Sequence, residues 1–305
     1  MKKNILKIIL FLIINTVLSE KTNAQISPND SLGQISSGST TSNDPAAAIP
    51  SAKHPYKINA WISGGIFIAG SVGDVIAIPR ILNKKEITDA ELASLNPDVL
   101  TGFDRWALKQ NSAKRVHYDK LSDNVLAGIL ILPFTLALDK DIRHDGWKLL
   151  LMYCESQAIT FSIFNYSYLG PTFQDKIRPM AYYTDIPMED RRDGNNRNSF
   201  FAGHVSTATS ATFFMTKVYC DYHPEIGSKK YLLYAAATVP ALAMGYLRVL
   251  ALKHFPSDIL AGMTIGAVSG IAIPALHKLR SKNINLGFYA SPEGAMGLSM
   301  VRTLR

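Results

Sequence analysis

Three polar patches border long apolar runs in this sequence, and their side chains include the groups that acid–base and nucleophilic chemistry requires. The patches occupy residues 176–179, 199–204 and 248–258. Taken alone, each patch is more often a solvated loop or a hydrogen-bond cluster at a helix end than a site. Together they supply two imidazoles, a carboxylate and several cations. The chemically competent residues are Lys176, Arg178, Gly203, His204, Arg248, His254 and Asp258.

The third patch has the spacing of a nucleophile and its orienting group. His254 and Asp258 are four residues apart, so the carboxylate can reach one imidazole nitrogen across a helical turn. Such a bond fixes the tautomer and leaves the other nitrogen free as a nucleophile. Pro256 and Ser257 mark the start of a helix. We therefore expect His254 to lie just before a helix N-terminus, where unpaired amides favour an anion.

The other two patches add a proton carrier and anion-binding groups. His204 opens an apolar run, and Gly203 before it lets the backbone and its amides approach a ligand closely. Arg178 and Arg248 supply planar, permanently charged forks that suit phosphate oxygens. A nucleophile with its orienter, a second histidine and two guanidiniums fit phosphoryl transfer, because the equatorial oxygens need charge stabilisation.

These patches must be positioned by six apolar runs, which we interpret as six mostly buried helices. Leu, Ile, Met and small residues dominate the runs, and strict alternation is absent, so the predicted fold class is all-α. Only the last run reaches the usual threshold of about 18 residues for a membrane span, and the mean hydropathy of +0.07 is low for six spans. The runs are 58–73, 125–138, 149–168, 205–215, 231–247 and 259–276.

The beginning of the chain has the pattern of an export signal. A lysine-rich start precedes a short apolar run, and small residues follow at Thr22 and Ala24. This order predicts a signal peptide over residues 1–24, with an uncleaved membrane anchor as the alternative. Residues 25–57 are rich in Ser, Asn, Pro, Gly and Ala, so a flexible linker is expected there.

The helical domain is expected over residues 58–280, followed by a different pattern. Residues 281–305 contain two alternating segments around a Ser-Pro-Glu-Gly turn, which predicts a short β-hairpin-like tail.

Charge and cysteine content exclude several function classes. The net charge is +8, and loss of the leader would leave about +5, well mixed along the chain. No basic stripe is interleaved with aromatic residues, so nucleic acid is not an expected partner. Cys154 and Cys220 are far apart and lie in or beside apolar stretches. Two buried thiols are therefore favoured over one disulfide, and no spacing typical of a zinc site is present.

The pattern Arg-Pro, then Gly-His, then Arg-x5-His-x3-Asp resembles the type 2 phosphatidic acid phosphatase and vanadium haloperoxidase superfamily. The resemblance covers residues 58–276, and its most specific part is 253–262. It implies a six-helix bundle whose motifs follow the third helix, open the fourth and precede the sixth. The order of the apolar runs agrees with that arrangement.

The resemblance also implies a role for each matched residue. His254 would form a phosphohistidine, and Asp258 would orient it. His204 would protonate the leaving oxygen and later activate water. Arg178 and Arg248 would hold the phosphoryl oxygens. No metal and no other cofactor would be needed, because arginines and amides supply the positive charge.

This chain departs from the family pattern at positions that would contact phosphate. The family's first motif has a Lys seven residues before its Arg, where this chain has Pro171; Lys176 is the nearby cation considered as its replacement. Phe201-Ala202 replaces a Pro-Ser pair, and Leu247 stands where Ser is common. Each missing group weakens phosphate binding by about 1–3 kcal/mol if the site is desolvated.

The predicted function is hydrolysis of a phosphate monoester or diphosphate, with a phosphorylated lipid as substrate and the membrane as partner. Three alternatives stay open: a soluble periplasmic acid phosphatase, a vanadium haloperoxidase, and a non-catalytic envelope protein that binds phospholipid. The expected location is the cell envelope, membrane-associated, with a periplasm-facing site. If the leader is cleaved and the first three runs all cross, however, the loop 171–203 faces the cytoplasm instead.

Overall fold

The computed structural model describes residues 54–279 and the backbone of two strands after them. The predicted signal peptide, most of the predicted linker and the turn of the predicted tail lie outside the described residues. Within residues 54–279 the chain forms nine α-helices. They are α1 (Ala60–Leu82), α2 (Asp89–Ser94), α3 (Gly102–Arg105), α4 (Arg115–Ile131), α5 (Gly146–Tyr166), α6 (Met188–Arg192), α7 (Gly203–Tyr222), α8 (Lys230–Leu250) and α9 (Pro256–Leu279).

The all-α class is confirmed for this part of the chain. Five of the six predicted apolar runs lie almost entirely on one long helix, and the run 125–138 begins on α4 and ends in a 3₁₀ segment. Most of these helices extend beyond the apolar run. Helix α1 continues past Asp74 because this buried carboxylate accepts hydrogen bonds from Asn165 (2.8 Å) and Ser162 (3.2 Å). Helix α4 continues as a 3₁₀ segment over Leu132–Leu138, where Pro133 removes a backbone donor.

After the helices, two strands pair antiparallel. They are β1 (Ile284–Ala290) and β2 (Met296–Arg302), with Ile284 opposite Arg302 and Phe288 opposite Leu298. Their backbone forms a two-stranded sheet.

Helix α7 lies in the middle of the bundle and contacts α4, α5, α8 and α9. Its contact with α9 is very close, because glycines of α9 face the α7 backbone. A Cβ atom on Gly266 would overlap the carbonyl oxygen of Ser206, and one on Gly270 would lie 2.6 Å from that of Ser210. The absence of side chains at these positions lets the two helices that carry the second and third polar patches pack directly together.

The interior combines apolar side chains with a buried hydroxyl cluster. Val205, Phe214 and Met244 are fully or almost fully buried in the main core. Between α5, α7 and α9, four hydroxyl groups bond to one another or to backbone carbonyls, so burial leaves these groups satisfied. The cluster comprises Ser156, Thr160, Ser210 and Ser269.

The long helices alternate in direction, so the bundle has two distinct ends. At the end that we call the loop end, residues 83–114 and 167–202 cover the helices, and Lys84 contacts Asp175 at 2.6 Å. At the far end, Tyr56 donates to Asp221 at 2.7 Å, and the Lys57 amide donates to the carbonyl of His277. The start of the described chain and the end of α9 therefore lie opposite the loop end.

Four helical segments in the described residues are long and apolar enough to cross a membrane, which supports membrane association. Large apolar side chains point outward from α1, where Trp61 is 92% exposed and Ile68 is 63% exposed. Helices α5 and α7 are of similar length but more polar, and much of their polarity is buried inside the bundle. The four segments are Ala60–Leu82, Ser112–Leu138, Pro224–Leu250 and Pro256–Lys278.

Candidate active site

A strained turn between α8 and α9 brings the third polar patch together. Leu252 has φ 57°, a left-handed conformation that costs a non-glycine residue about 1–2 kcal/mol. The Leu252 amide bonds to the carbonyl of Val249, and the Lys253 amide bonds to that of Arg248 (3.1 Å), which closes the helix end. Because Leu252 is fully buried, packing holds the turn in place. The turn brings Lys253 and His254 next to Arg248.

His254 is held as a neutral imidazole with one nitrogen free. Its ring is buried, and Nδ1 lies 2.6 Å from the carbonyl oxygen of Ser199. A carbonyl can only accept, so Nδ1 carries a proton, and in the neutral ring Nε2 keeps its lone pair. Burial and the positive charges of Arg248 and Arg178 lower the pKa of His254 well below its usual range. This tautomer is the one that a nucleophile needs.

Asp258 does not bond to His254 directly, so this part of the sequence prediction was wrong. Its carboxylate accepts from the Ser199 hydroxyl (2.6 Å), the Phe255 amide (2.9 Å) and the Lys176 ammonium (2.6 Å). Asp258 is the third residue of α9, and a side chain there bonds back to the amide that precedes the helix, as in a capping box. Asp258 thus contacts the ring of His254 indirectly, through Ser199, which donates its hydroxyl to Asp258 and accepts from His254 at its carbonyl.

Lys176 lies where it cannot simply replace the missing motif lysine. Its ammonium contacts the Asp258 carboxylate and the Ser257 hydroxyl (3.1 Å), and it lies 4.9 Å from the centre of the Phe255 ring. The Asp258 side chain is fully buried, and a buried carboxylate needs a counter-charge. The structure therefore assigns Lys176 to Asp258.

The hydrogen-bond donors at the start of α9 already have partners within the protein. The Ser257 amide and hydroxyl donate to the two carboxylate oxygens of Asp104, at 2.9 and 2.8 Å. The amides of Asp258 and Ile259 bond to the carbonyl of Phe255. The expected anion site at this helix N-terminus is thus filled by the protein's own carboxylate.

The two predicted arginines are buried close together. The amide of Arg178 donates to the carbonyl of Asn196 (2.7 Å), which fixes the backbone of this loop residue. Burial and the charge of Arg248 lower the pKa of Arg178 to about 10, so it stays charged at neutral pH. Arg248 donates through Nη1 to Asp119 and to the Ser122 hydroxyl, both at 2.9 Å. The side-chain exposure of Arg248 is only 4%.

His204 lies in the first turn of α7, beside the same arginine. Its Nε2 lies 3.1 Å from a carboxylate oxygen of Asp123, and its ring is 34% exposed. Burial of part of the ring and the charge of Arg248 lower the pKa of His204, while Asp123 opposes this shift by favouring the protonated form. The ring therefore has an opening to solvent, a carboxylate partner and a nearby cation.

Gly203 has a packing reason to be glycine. A Cβ atom there would lie 2.8 Å from the Phe164 ring. The helix begins at Gly203, so the amides of Gly203 and His204 have no acceptor within the helix. They are available for an anion, as the family resemblance implies for this region.

Sequence reasoning missed five residues of the site. Ser199 carries the contact between Asp258 and His254, and Lys253 pairs with Asp119 at 3.1 Å. Asp119, Ser122 and Asp123 line one face of α4 and meet Arg248 and His204. Their spacing of three and four residues, directly before an apolar run, is a signal that could have indicated a polar helix face turned inward.

The structure thus brings together both predicted histidines and both arginines, and adds Lys253 and two carboxylates. In residues 54–279, no group of three or more His, Cys, Asp or Glu side chains is arranged to hold a metal ion. The cations can neutralise an anion with several oxygens, one imidazole offers a lone pair, and the other can carry a proton.

The comparison with family models agrees with the motif resemblance. Residues 145–282 match the family model of the PAP2 superfamily, so the resemblance is confirmed over the segment that contains all seven predicted site residues. A solved structure, described as the first transmembrane PAP2 type phosphatidylglycerolphosphate phosphatase from Bacillus subtilis, is similar at 15% identity. The similarity covers 73% of this chain and 98% of that one, with a TM-score of 0.40. No curated protein matches the sequence significantly.

Proposed function

Because residues 145–282 carry a PAP2 superfamily region, we propose that this chain is a metal-independent phosphatase that hydrolyses the phosphate monoester or diphosphate of a lipid. One observation carries the proposal. His254 keeps a free Nε2 lone pair beside two buried guanidiniums, because its Nδ1 donates to Ser199. A neutral imidazole next to concentrated positive charge is suited to attack on a bound phosphoryl group.

The reaction would proceed in two displacements. Arg178 and Arg248 bind the phosphoryl oxygens, and Nε2 of His254 attacks phosphorus. His204 gives its proton to the leaving oxygen as the bond to phosphorus breaks, which leaves a phosphohistidine at residue 254. His204 then takes a proton from water, and the water oxygen attacks phosphorus as the bond from phosphorus to Nε2 of His254 breaks. This step releases inorganic phosphate and returns the lone pair to His254.

Asp258 and Lys176 support this reaction without contacting the substrate. Asp258 holds the hydroxyl of Ser199, and the carbonyl of Ser199 holds the ring of His254. Lys176 balances the charge of Asp258. In this arrangement Asp258 is a positioning residue for the nucleophile.

A lipid substrate is favoured by the framework around the site. Four segments of the described chain are long and apolar enough to cross a membrane, and the long helices end at the loops that carry the site. The phosphate headgroup of a membrane lipid would lie at the ends of these helices, where the site is. We propose a membrane-associated envelope protein, with the leader directing the chain into the export route.

The test is phosphate release by detergent-purified protein from a panel of phosphatidate, phosphatidylglycerol phosphate, undecaprenyl diphosphate and lipid A. We expect release from at least one lipid, and loss of at least 1,000-fold in rate for His254→Gln, because the nucleophile is removed. His223→Gln is the matched control, since His223 pairs with Asp139 at the far end. Full activity in His254→Gln would overturn the proposal, and a preference for soluble esters would favour an acid phosphatase.

A further inference from the structure

Two cations of the site share one carboxylate. Nη1 of Arg248 lies 2.9 Å from one oxygen of Asp119, and Nζ of Lys253 lies 3.1 Å from the other. Both side chains are mainly buried, with exposures of 4% for Arg248 and 20% for Lys253. The Asp119 carboxylate, 24% exposed, therefore lies between two converging donors at the mouth of the site.

One carboxylate, Asp119, pairs with two of the cations at this point. Burial and the charges of Arg178 and Arg248 lower the pKa of Lys253, while Asp119 acts in the opposite direction. The charge of Arg178 therefore acts on Lys253 as well, which makes Arg178 the third cation of this group. Three cations close together repel one another, and a bound anion with several oxygens would relieve that repulsion.

Lys253 is also a lysine that could contact phosphate in place of the motif lysine that this chain lacks. Pro171 occupies the position of the family's motif lysine, and Lys176 is engaged by Asp258. Lys253 is held next to Arg248 by the turn at Leu252 and directly precedes His254. Its ammonium can turn from Asp119 to a phosphate oxygen by side-chain rotation, because the four-carbon stem is flexible.

We propose that Lys253 is a third phosphate-binding residue, which takes the place of the missing motif lysine, and that Asp119 is its counter-ion when no phosphate is bound. This inference rests on the proposed function, because it concerns the same site. The ligand class is a phosphate monoester or diphosphate group, whose oxygens displace Lys253 from the carboxylate.

Binding of orthovanadate and inorganic phosphate, measured by calorimetry on detergent-purified full-length protein, tests this without requiring turnover. For Lys253→Gln we expect affinity to fall about 10- to 100-fold, the usual effect of losing a charge-assisted hydrogen bond. Lys253→Arg should stay within about threefold of the wild type. Lys217→Gln is the matched control, because Lys217 is an ion-paired lysine of similar burial at the far end; we expect no more than a twofold change.

A double substitution separates direct binding from an indirect effect. Removing Lys253 alone leaves Asp119 paired only with Arg248, and the less neutralised carboxylate would itself repel an anion. If Lys253 binds phosphate, Lys253→Gln weakens binding by a similar factor in an Asp119→Asn background. Equal affinity of Asp119→Asn with and without Lys253→Gln overturns the proposal. This comparison also remains informative if Lys253→Gln alone fails to fold, because both charges of the pair are removed.

The outcomes distinguish this inference from the proposed function. A wild-type protein that binds vanadate through Lys253 but releases no phosphate from any lipid would retain the inference and refute the phosphatase activity. If the Lys253→Gln variant releases phosphate as well as the wild type, with unchanged KM and vanadate affinity, the phosphatase activity stands and the role of Lys253 is refuted.

Discussion

The two histidines of the site have opposite protonation requirements, and their partners differ accordingly. His254 must be neutral to attack phosphorus, and its carbonyl partner and cationic neighbours favour that form. His204 must carry a proton for the leaving oxygen, and Asp123 is the group that favours protonation. Because the pKa values of both rings are lowered, we expect the kcat/KM optimum on the acid side of the ordinary imidazole pKa.

Asp123→Asn tests this division of roles. The substitution removes the charge that raises the pKa of His204, so the ring holds its proton only at lower pH. The alkaline limb of the pH–rate profile should move down by about one pH unit, with a roughly tenfold lower rate at pH 7.

Asp139→Asn is the control for that profile, because Asp139 forms a comparable carboxylate–histidine pair with His223 (3.0 Å) at the far end. Its pH–rate profile should match that of the wild type. An unshifted alkaline limb in Asp123→Asn would show that Asp123 does not set the protonation of His204.

The identities of the reacting residues could be predicted from sequence, but several of their contacts could not. Residue spacing made a bond between His254 and Asp258 plausible, yet it says nothing about the competing donors that reach Asp258 from Ser199 and Lys176. Those donors come from a loop more than 50 residues away. Lys253 was visible within the motif, but only the fold shows that it faces Asp119.

At the scale of the helices, close packing of α7 against α9 sets the distance between the second and third polar patches. Glycines recur every four residues on α9, at Gly262, Gly266 and Gly270, and each faces a backbone oxygen of α7 or of the residue before it. A helix pair that touches through its backbones cannot accept an added methyl group without moving. The periodic small residues were visible in the sequence, whereas the helix that they contact was not.

Gly266→Ala should therefore separate the two patches. The new Cβ would overlap the Ser206 carbonyl oxygen, so we expect a loss of stability of about 1–3 kcal/mol and a fall in activity, measured by thermal unfolding and phosphate release in detergent.

Gly128→Ala is its matched control, because a Cβ at Gly128 in α4 would meet no atom within 4 Å. Alanine is the better helix former, so stability should be unchanged or slightly higher. If the two alanine variants behave alike, close packing of α7 on α9 does not constrain the site.

At the scale of the whole molecule, low hydropathy and a membrane bundle are compatible because the polar helices are central. Helices α5 and α7 bury their Ser, Thr and Glu side chains among more apolar helices. Average hydropathy cannot show which helix is enclosed, so the sequence alone underestimated the membrane character. The alternating helix directions also separate residues 54–57 from the site. An exported N-terminal arm and a periplasm-facing site therefore exclude each other if α1 crosses.

Cysteine labelling tests the crossing of α5, the only long helix between Asp141 at the far end and Glu189 at the loop end. In a Cys154→Ala/Cys220→Ala background, Asp141→Cys and Glu189→Cys should react with an impermeant maleimide from opposite sides of the membrane. The 21 residues of α5 span about 30 Å, which matches a bilayer core. Labelling of both positions from the same side would mean that α5 does not cross.

The most direct measurement is identification of the phosphorylated residue after rapid quenching during turnover of a labelled lipid phosphate. We expect a base-stable, acid-labile phosphoramidate on His254, located by mass spectrometry and absent in His254→Gln. Phosphate on another residue, or continued turnover by a His254→Gln protein, would contradict it.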